Sequence, residues 1–336
     1  MTSRFNSPVL PALNTCVEIC AGAGGQALGL ERAGFVHSAL VELDGDACQT
    51  LRANRPAWNV VQTDVRSFDA RGLPGTDNGV GLLAAGVPCP PFSMAGKQLG
   101  GEDDRDLFPA VLSLAAVLQP HAVLIENVKG LMQRKFAPYR VTILQRLEDL
   151  GYIAEWRLLR ACDYGVPQLR PRAVLVAMRP NMFSSFRWPD PTACSETAPS
   201  VGHVLYESMA SQGWELASQW ADAAKRIAPT LCGGSRKHGG PDLGPSRARH
   251  AWAQLGVNGS SVADTPPAPG SILPVKLTVA QMALLQGFPP DWSFAGRKTS
   301  AYRQVGNAFP PPVAEAVGRS IAKTLASQSA LTAVRG

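Results

Sequence analysis

In the stretch GVPCPPFS, from Gly86 to Ser93, a single cysteine, Cys89, stands among Pro88, Pro90 and Pro91. Proline fixes its own φ and pushes the preceding residue towards extended backbone, so these prolines hold Cys89 in a stiff loop. A thiol mounted in this way suits a nucleophile. The alternative is a small buried apolar group, which needs no such mounting. In VLIENVKG the carboxyl of Glu126 follows an apolar run, and in DYGVPQLRPR the residues Gln168, Arg170 and Arg172 alternate. Alternation puts the two arginines on one face of an extended strand. A thiol, a carboxyl and paired guanidinium groups are the tools for attacking a polarised, electron-poor ring.

These groups need elements that carry them to one edge. The runs TCVEIC, HSALVELD, NVVQTDV, GVGLLAAG and HAVLIENV read as strands, and GQALGLERAGF, DACQTLRAN and LFPAVLSLAAVLQ as helices between them. Such alternation predicts an α/β fold with a doubly wound, mostly parallel sheet, the Rossmann-like class. YRVTILQRLEDLGY adds a helix, and IAEWRLLRA with RAVLVAMR adds two strands expected to be neighbours. Glu126 and Cys89 both follow apolar strands, which puts them at the carboxyl edge, where ligands of such sheets bind. From Trp188 to Val275 clean periodicity gives way to Gly- and Pro-rich loops, read as a second, smaller, loop-rich domain. After Lys276, LTVAQMALLQGF and PPVAEAVGRSIAKTLASQ are helical, the second with proline at its start. The expected division is residues 1–187, residues 188–275, and a return segment, 276–336, that completes the first domain.

The first strand runs into CAGAGG. Its glycines let backbone approach a ligand, although a plain tight turn has the same composition. Gly22, Gly24 and Gly25 miss the G-x-G-x-x-G spacing, which argues against a nicotinamide dinucleotide. Glu42 ends the second strand, where an acid meets ribose hydroxyls, and Asp64 ends the third, where a carboxylate can accept from an adenine amino group. Together they suggest a nucleoside cofactor. No P-loop lysine is nearby.

The 336-residue chain carries a formal net charge of +6, with a pI of about 9.0, which suits a polyanionic partner. Its amino terminus has no signal pattern and no apolar run approaches membrane-spanning length. Seven cysteines without a C-x-x-C pair fit neither a disulfide framework nor a zinc site. The expectation is a soluble, metal-free protein of the reducing cytoplasm. Basic residues cluster between Arg157 and Arg187, against Asp163 alone, and between Lys225 and His250, against Asp242 alone. A solvated surface is one reading of each cluster. Two clusters bracketing a Gly/Pro-rich region fit the lining of a nucleic-acid cleft better.

Taken in order, these stretches resemble the motifs of the S-adenosylmethionine-dependent DNA (cytosine-5)-methyltransferases. EICAGAGG resembles the first cofactor motif, VELD the ribose acid and TDV the adenine motif. PCPPFS resembles the nucleophile loop, ENV the catalytic acid and QLRPR the paired arginines. KLTVAQMALLQGFP and YRQVGNAFPPPVA resemble the closing motifs. The resemblance implies that Cys89 adds to C6 of cytosine, Glu126 holds and protonates N3, Arg172 contacts the base, and Arg170 and Gln168 support the pocket and phosphate side. It implies S-adenosylmethionine surrounded by Cys20, Gly22, Ala23, Gly25, Glu42, Leu43, Asp64, Val65, Gly86, Pro88 and Asn307. Asn127 and Val128 would hold the loop and cofactor side. Because the base must leave the duplex, flipping follows.

The chain departs from the pattern at Glu18, usually Asp, and at Cys20 and Leu43, where aromatic residues pack on adenine in other members. Gln281 replaces a frequent Glu. The variable middle region is then the reader of double-stranded DNA, with Thr230 and Leu231 before a loop whose Arg236, Lys237 and His238 reach bases or phosphates. Trp214, Trp220 and Trp252 are expected in the core. The enzyme is expected as a monomer, with a cognate restriction endonuclease as a separately acting partner. The rival readings are a tRNA methyltransferase of the same family, a catalytically silent DNA-binding relative and a nicotinamide oxidoreductase. The intact Cys89, Glu126 and Arg172 count against a silent relative.

Overall fold

A computed structural model of the chain describes residues 13–73, 76, 79–88, 106–234 and 240–335. Cys89, Arg236, Lys237 and His238 lie outside the described residues. The first half alternates strand and helix: β1 (Thr15–Ile19), α1 (Gly25–Arg32), β2 (Val36–Glu42), α2 (Gly45–Asn54), β3 (Val60–Gln62), β4 (Leu82–Gly86), α3 (Phe108–Leu118), β5 (Ala122–Val128) and α4 (Ala137–Asp149). The strands β6 (Ile153–Arg160) and β7 (Pro171–Met178) complete a seven-stranded sheet in the order β3-β2-β1-β4-β5-β7-β6. Pairs from β3 to β5 are parallel. β7 runs antiparallel to both β5 and β6, and β6 and β7 are the two strands expected from the sequence to be neighbours.

Strand order reverses between β1 and β4, so the crevice beyond their carboxyl ends is the ligand position of a doubly wound sheet. β1, β4 and β5 are buried along almost their whole length, as parallel strands covered on both faces must be. One face, with Val17, Ile19, Val123 and Ile125, packs under α3 and α4. The other, with Cys16, Leu82 and Leu124, packs under α1 and the terminal helix α11 (Pro311–Arg335). Glycines let α1 and α11 lie close together. A Cβ at Gly29 would come 2.5 Å from the Pro311 carbonyl oxygen, and one at Gly318 would come 2.8 Å from the Ala33 Cβ.

The region after Trp188 is more helical than its composition suggests. After the short α5 (Pro180–Phe183) it holds α6 (Val201–Ala210), α7 (Ala217–Ala223) and α8 (Ser246–Ala253), followed by α9 (Val279–Leu285) and α10 (Lys298–Asn307). Trp214, Trp220 and Trp252 are buried, as expected of core residues. Their core is continuous with Met282, Trp292 and Tyr302. Residues 276–308 therefore pack with the middle region, while α11 packs on α1.

Candidate active site

β1 delivers the chain into a turn with left-handed backbone at Cys20, Gly22 and Gly24, where φ is 54°, 55° and 85°. At Gly22 an added Cβ would meet nothing within 4 Å, so the turn is open on that side. Gly25 is the opposite case, because a Cβ there would come 2.3 Å from the Phe309 carbonyl oxygen. The Gly22 N–H donates to Glu42 Oε2 at 2.8 Å, and the Asp44 N–H to Oε1 at 2.7 Å. Glu42 thus joins the turn to the start of α2. Burial raises its pKa against these two hydrogen bonds. Each of its oxygens keeps acceptor capacity for a hydroxyl.

Asp64 caps a single helical turn, Val65–Ser67, and pairs with Arg66 at 2.6 Å. The side-chain hydrogen bond from Arg66 holds its carboxyl down to about 2. Val65 beside it is buried, whereas Leu43 is 61% exposed. Burial pushes the Cys20 thiol up, which keeps it protonated. Ala23 is buried and Pro88 exposed. Asn307 ends α10 and donates to the Gly234 carbonyl at 3.2 Å. The Asp44 carboxylate, which caps α2 and meets Arg303 at 3.3 Å, belongs to this end of the sheet too. The sequence reading missed it, although an Asp two residues past a strand-end acid and just before a helix carries the N-cap signal.

The candidate catalytic residues Glu126 and Arg172 lie on the neighbouring strands β5 and β7. Register pairs Gly86 of β4 with Glu126 of β5, so the segment leading to Cys89 leaves the sheet beside that carboxyl. Glu126 Oε1 lies 2.7 Å from Arg172 Nε, with both side chains 9% exposed. Burial raises the Glu126 pKa, and Arg172 and Arg170 only partly oppose it. The Asn127 side chain accepts from Val128 N–H at 2.8 Å and reaches the Val87 carbonyl at 3.4 Å, bracing the end of β4.

Gln168 and Arg170 occupy different ground from Arg172. Both are completely buried. Arg170 donates to the carbonyls of Leu231, Gly306 and Ala308, each at 2.7 Å. Gln168 donates to the Leu285 carbonyl at 3.1 Å and to Gln286 at 2.6 Å, and it accepts from the Leu231 N–H at 2.8 Å. With no exposed surface, and with both terminal nitrogens of Arg170 and the amide of Gln168 engaged inside the protein, the two brace the site from behind and present nothing to a phosphate. Thr230 is half-buried and Leu231 fully so. Among the described residues no cluster of His, Cys, Asp and Glu could hold a metal ion.

Residues 14–323 match the profile of the family described as C-5 cytosine-specific DNA methylase. The chain belongs to this family. The methylase is 56% identical over 312 residues to the Type II methyltransferase M.NaeI of Lentzea aerocolonigenes, covering 92% of this chain and 75% of that relative. It is 49% identical over 318 residues to the Type II methyltransferase M.NgoMIV of Neisseria gonorrhoeae, covering 94% and 99%. Among solved structures, the fold matches a DNA modification methyltransferase encoded within an E. coli prophage, with a TM-score of 0.66 at 23% identity, covering 93% and 99%. It also matches the Entamoeba histolytica methyltransferase EhMeth, with a TM-score of 0.62 at 14% identity, covering 91% and 97%. The α/β class read from the sequence is that of these methyltransferases. Among the described residues no helix is long and apolar enough to cross a membrane.

Proposed function

We propose that the methylase transfers a methyl group from S-adenosylmethionine to C5 of a flipped-out cytosine in a specific double-stranded DNA sequence, through a covalent Cys89 adduct. The observation that carries this reading is the Glu126–Arg172 pair, 2.7 Å apart across β5 and β7, with Glu126 on the strand next to the one that leads to Cys89. Residues of the turn fit the cofactor: open space beside Gly22, a carboxylate at Glu42 with spare acceptor capacity, and buried Val65 next to Asp64. Cys20, Ala23, Gly25, Leu43, Gly86, Pro88 and Asn307 would complete its surroundings. When bound, S-adenosylmethionine supplies an electrophilic methyl group on a sulfonium.

The protein's part follows from the chemistry of the ring. Glu126, which burial disposes to keep a proton, holds and protonates N3, and Arg172 fixes the carboxyl and contacts the base at O2. C6 becomes electrophilic and the Cys89 thiolate adds to it. C5, now nucleophilic, would take the methyl group as the methyl–sulfur bond breaks; loss of the C5 proton to solvent, return of the N3 proton to Glu126 and cleavage of the C6–sulfur bond would then release Cys89 as the thiolate. The target base must leave the stack to reach these groups. Residues 188–275 are proposed as the target-recognition domain, with Thr230, Leu231, Arg236, Lys237 and His238 on the DNA side. The Type II names of the relatives support a role in restriction–modification, with a separately acting endonuclease. A cytoplasmic monomer is part of the same proposal.

A duplex carrying 5-fluorocytosine at the target tests the mechanism, because fluorine at C5 cannot leave as a proton does. The complex should survive denaturation, require S-adenosylmethionine, map to the Cys89 peptide and be lost in Cys89→Ser. An adduct on another cysteine, or one formed equally well by Cys89→Ser, overturns the mechanism. Mapping 5-methylcytosine at base resolution on treated genomic DNA identifies the recognised sequence.

A further inference from the structure

We infer that Trp292 is a positioning residue for the cofactor: its indole N–H fixes the Ala23 carbonyl and thereby sets the shape of the glycine turn. The inference rests on the proposed reading of that turn as the S-adenosylmethionine site. Within the turn, Ala21 N–H donates to Val41, Gly22 N–H to Glu42 and Gly24 N–H to the Ala21 carbonyl, all partners on β1, β2 or the turn itself. The Ala23 carbonyl is met from the far end of the chain instead. Trp292 Nε1 donates to it at 3.2 Å, between groups 269 residues apart in sequence. Both residues are buried.

A peptide unit is planar, so fixing its carbonyl also fixes the N–H on its other side. The unit joining Ala23 to Gly24 is therefore held twice, by Trp292 at the oxygen and by the Ala21 carbonyl at the nitrogen, 3.0 Å away. The indole also fills the space at Gly24, where an added Cβ would come 3.0 Å from Trp292 Cζ2. Without an indole N–H, a buried carbonyl loses its partner in a turn whose left-handed residues have other conformations within reach.

The indole itself cannot swing aside. Phe288 lies 5.8 Å and Trp58 6.1 Å from it between ring centroids, and the Arg55 guanidinium sits 5.3 Å over the ring. Arg55 is in turn paired with Glu31 at 2.9 Å. Beyond Trp292 the chain is laced to α2: Asn54 bonds both the N–H and the carbonyl of Ser293, at 2.9 and 2.7 Å, and Ala295 N–H donates to Thr50 at 2.8 Å. Trp292 is thus a rigid strut between the return segment and the turn.

The test uses Trp292→Phe in the full chain, which keeps an aromatic ring and removes the donor. Trp220→Phe is the matched control, since Trp220 is also buried and its indole donates to the Leu255 carbonyl at 2.9 Å, within the middle region. Both variants should lose similar stability. Trp292→Phe alone should raise Kd and KM for S-adenosylmethionine by about five- to tenfold, the scale of one lost hydrogen bond, with kcat at saturating cofactor and affinity for duplex DNA unchanged. Binding is reciprocal, so S-adenosylmethionine should slow amide exchange at Ser293 and Ala295 of the wild type more than at Leu255. That measurement decides the matter if the variant does not fold. A wild type that binds no S-adenosylmethionine overturns the cofactor reading and this inference with it. Unchanged cofactor affinity in Trp292→Phe, or no protection at Ser293 and Ala295, overturns the inference alone.

Discussion

Glu18 and Glu126 are both carboxyls buried on central strands, and burial raises the pKa of each. Their neighbours differ. Glu18 faces His37, 3.3 Å away, and Gln26, inside the sheet–helix layer; Glu126 faces Arg172 at the ligand edge. In the proposed mechanism the Glu126 proton goes to N3, so Glu126→Gln should slow adduct trapping by at least about a hundredfold, the low end for general acid catalysis. In the wild type the single-turnover rate should fall as pH climbs through the raised Glu126 pKa and the carboxyl loses its proton. For Glu18 the consequence is stability. The folded state holds its proton more tightly than the unfolded chain, so its contribution is complete below the ordinary value of 4.5 and is lost as pH rises through the folded value. Glu18→Gln stays neutral. Urea unfolding across pH should therefore show the variant gaining on the wild type as pH increases, and a constant difference would refute this. Glu126 and Arg172 stood out one by one because each sits in a short stretch of unusual composition, but their pairing was not legible. Nor was the burial of Gln168 and Arg170, since alternation along a strand tells which face a side chain takes but not what covers that face.

Elements were legible where the chain reported its own environment. β1, β4 and β5 are unbroken apolar runs because parallel strands are covered on both faces. α6, α7 and α8 are 7 to 10 residues long, with a Gly- and Pro-rich segment between α7 and α8, and are too short for a 3.6-residue period to stand out. The closing helix was expected to return to the first domain, but its close packing on α1 was not legible, because the small residue that permits it looks like any helical glycine. It gives a sharp prediction. Gly29→Ala forces a Cβ against the Pro311 carbonyl and the Glu315 nitrogen, at 2.5 and 2.7 Å. Gly318→Ala meets mainly side-chain atoms, Ala33 Cβ and Leu30 Cδ2, at 2.8 and 2.9 Å. Backbone cannot step aside as a leucine methyl can, so Gly29→Ala should lose about 1–3 kcal/mol or more and Gly318→Ala less. Denaturant midpoints of the two variants compare them directly, and equal losses would contradict the geometry.

At the scale of the whole molecule, Arg170 links three parts of the chain. Its guanidinium joins β7 to Leu231 of the middle region and to the Gly306–Ala308 bend before α11. Arg170→Ala would remove a buried donor from the Leu231 and Gly306 carbonyls and leave Ala308 only its bond from Gln286 at 3.1 Å, and the loss should be about 2 kcal/mol or more in urea unfolding. Unaltered stability would mean that water or a rearranged backbone serves those carbonyls equally well. Contacts spanning 61 to 138 residues, as these do, leave no local trace in sequence, so the return segment was expected to complete the first domain but Arg170's part in holding it there was not. The α1–α11 contact spans a longer stretch still, and it has a consequence for how the protein is made. A ribosome delivers the first βα unit long before the helix that covers it. At ordinary elongation rates the wait from Gly29 to Gly318 is roughly 15–60 s. During that interval the α1 face meant for α11 has no native cover, so the nascent amino-terminal half is a natural client for chaperones that shield apolar surface, and translation speed becomes a variable in the yield of active methylase.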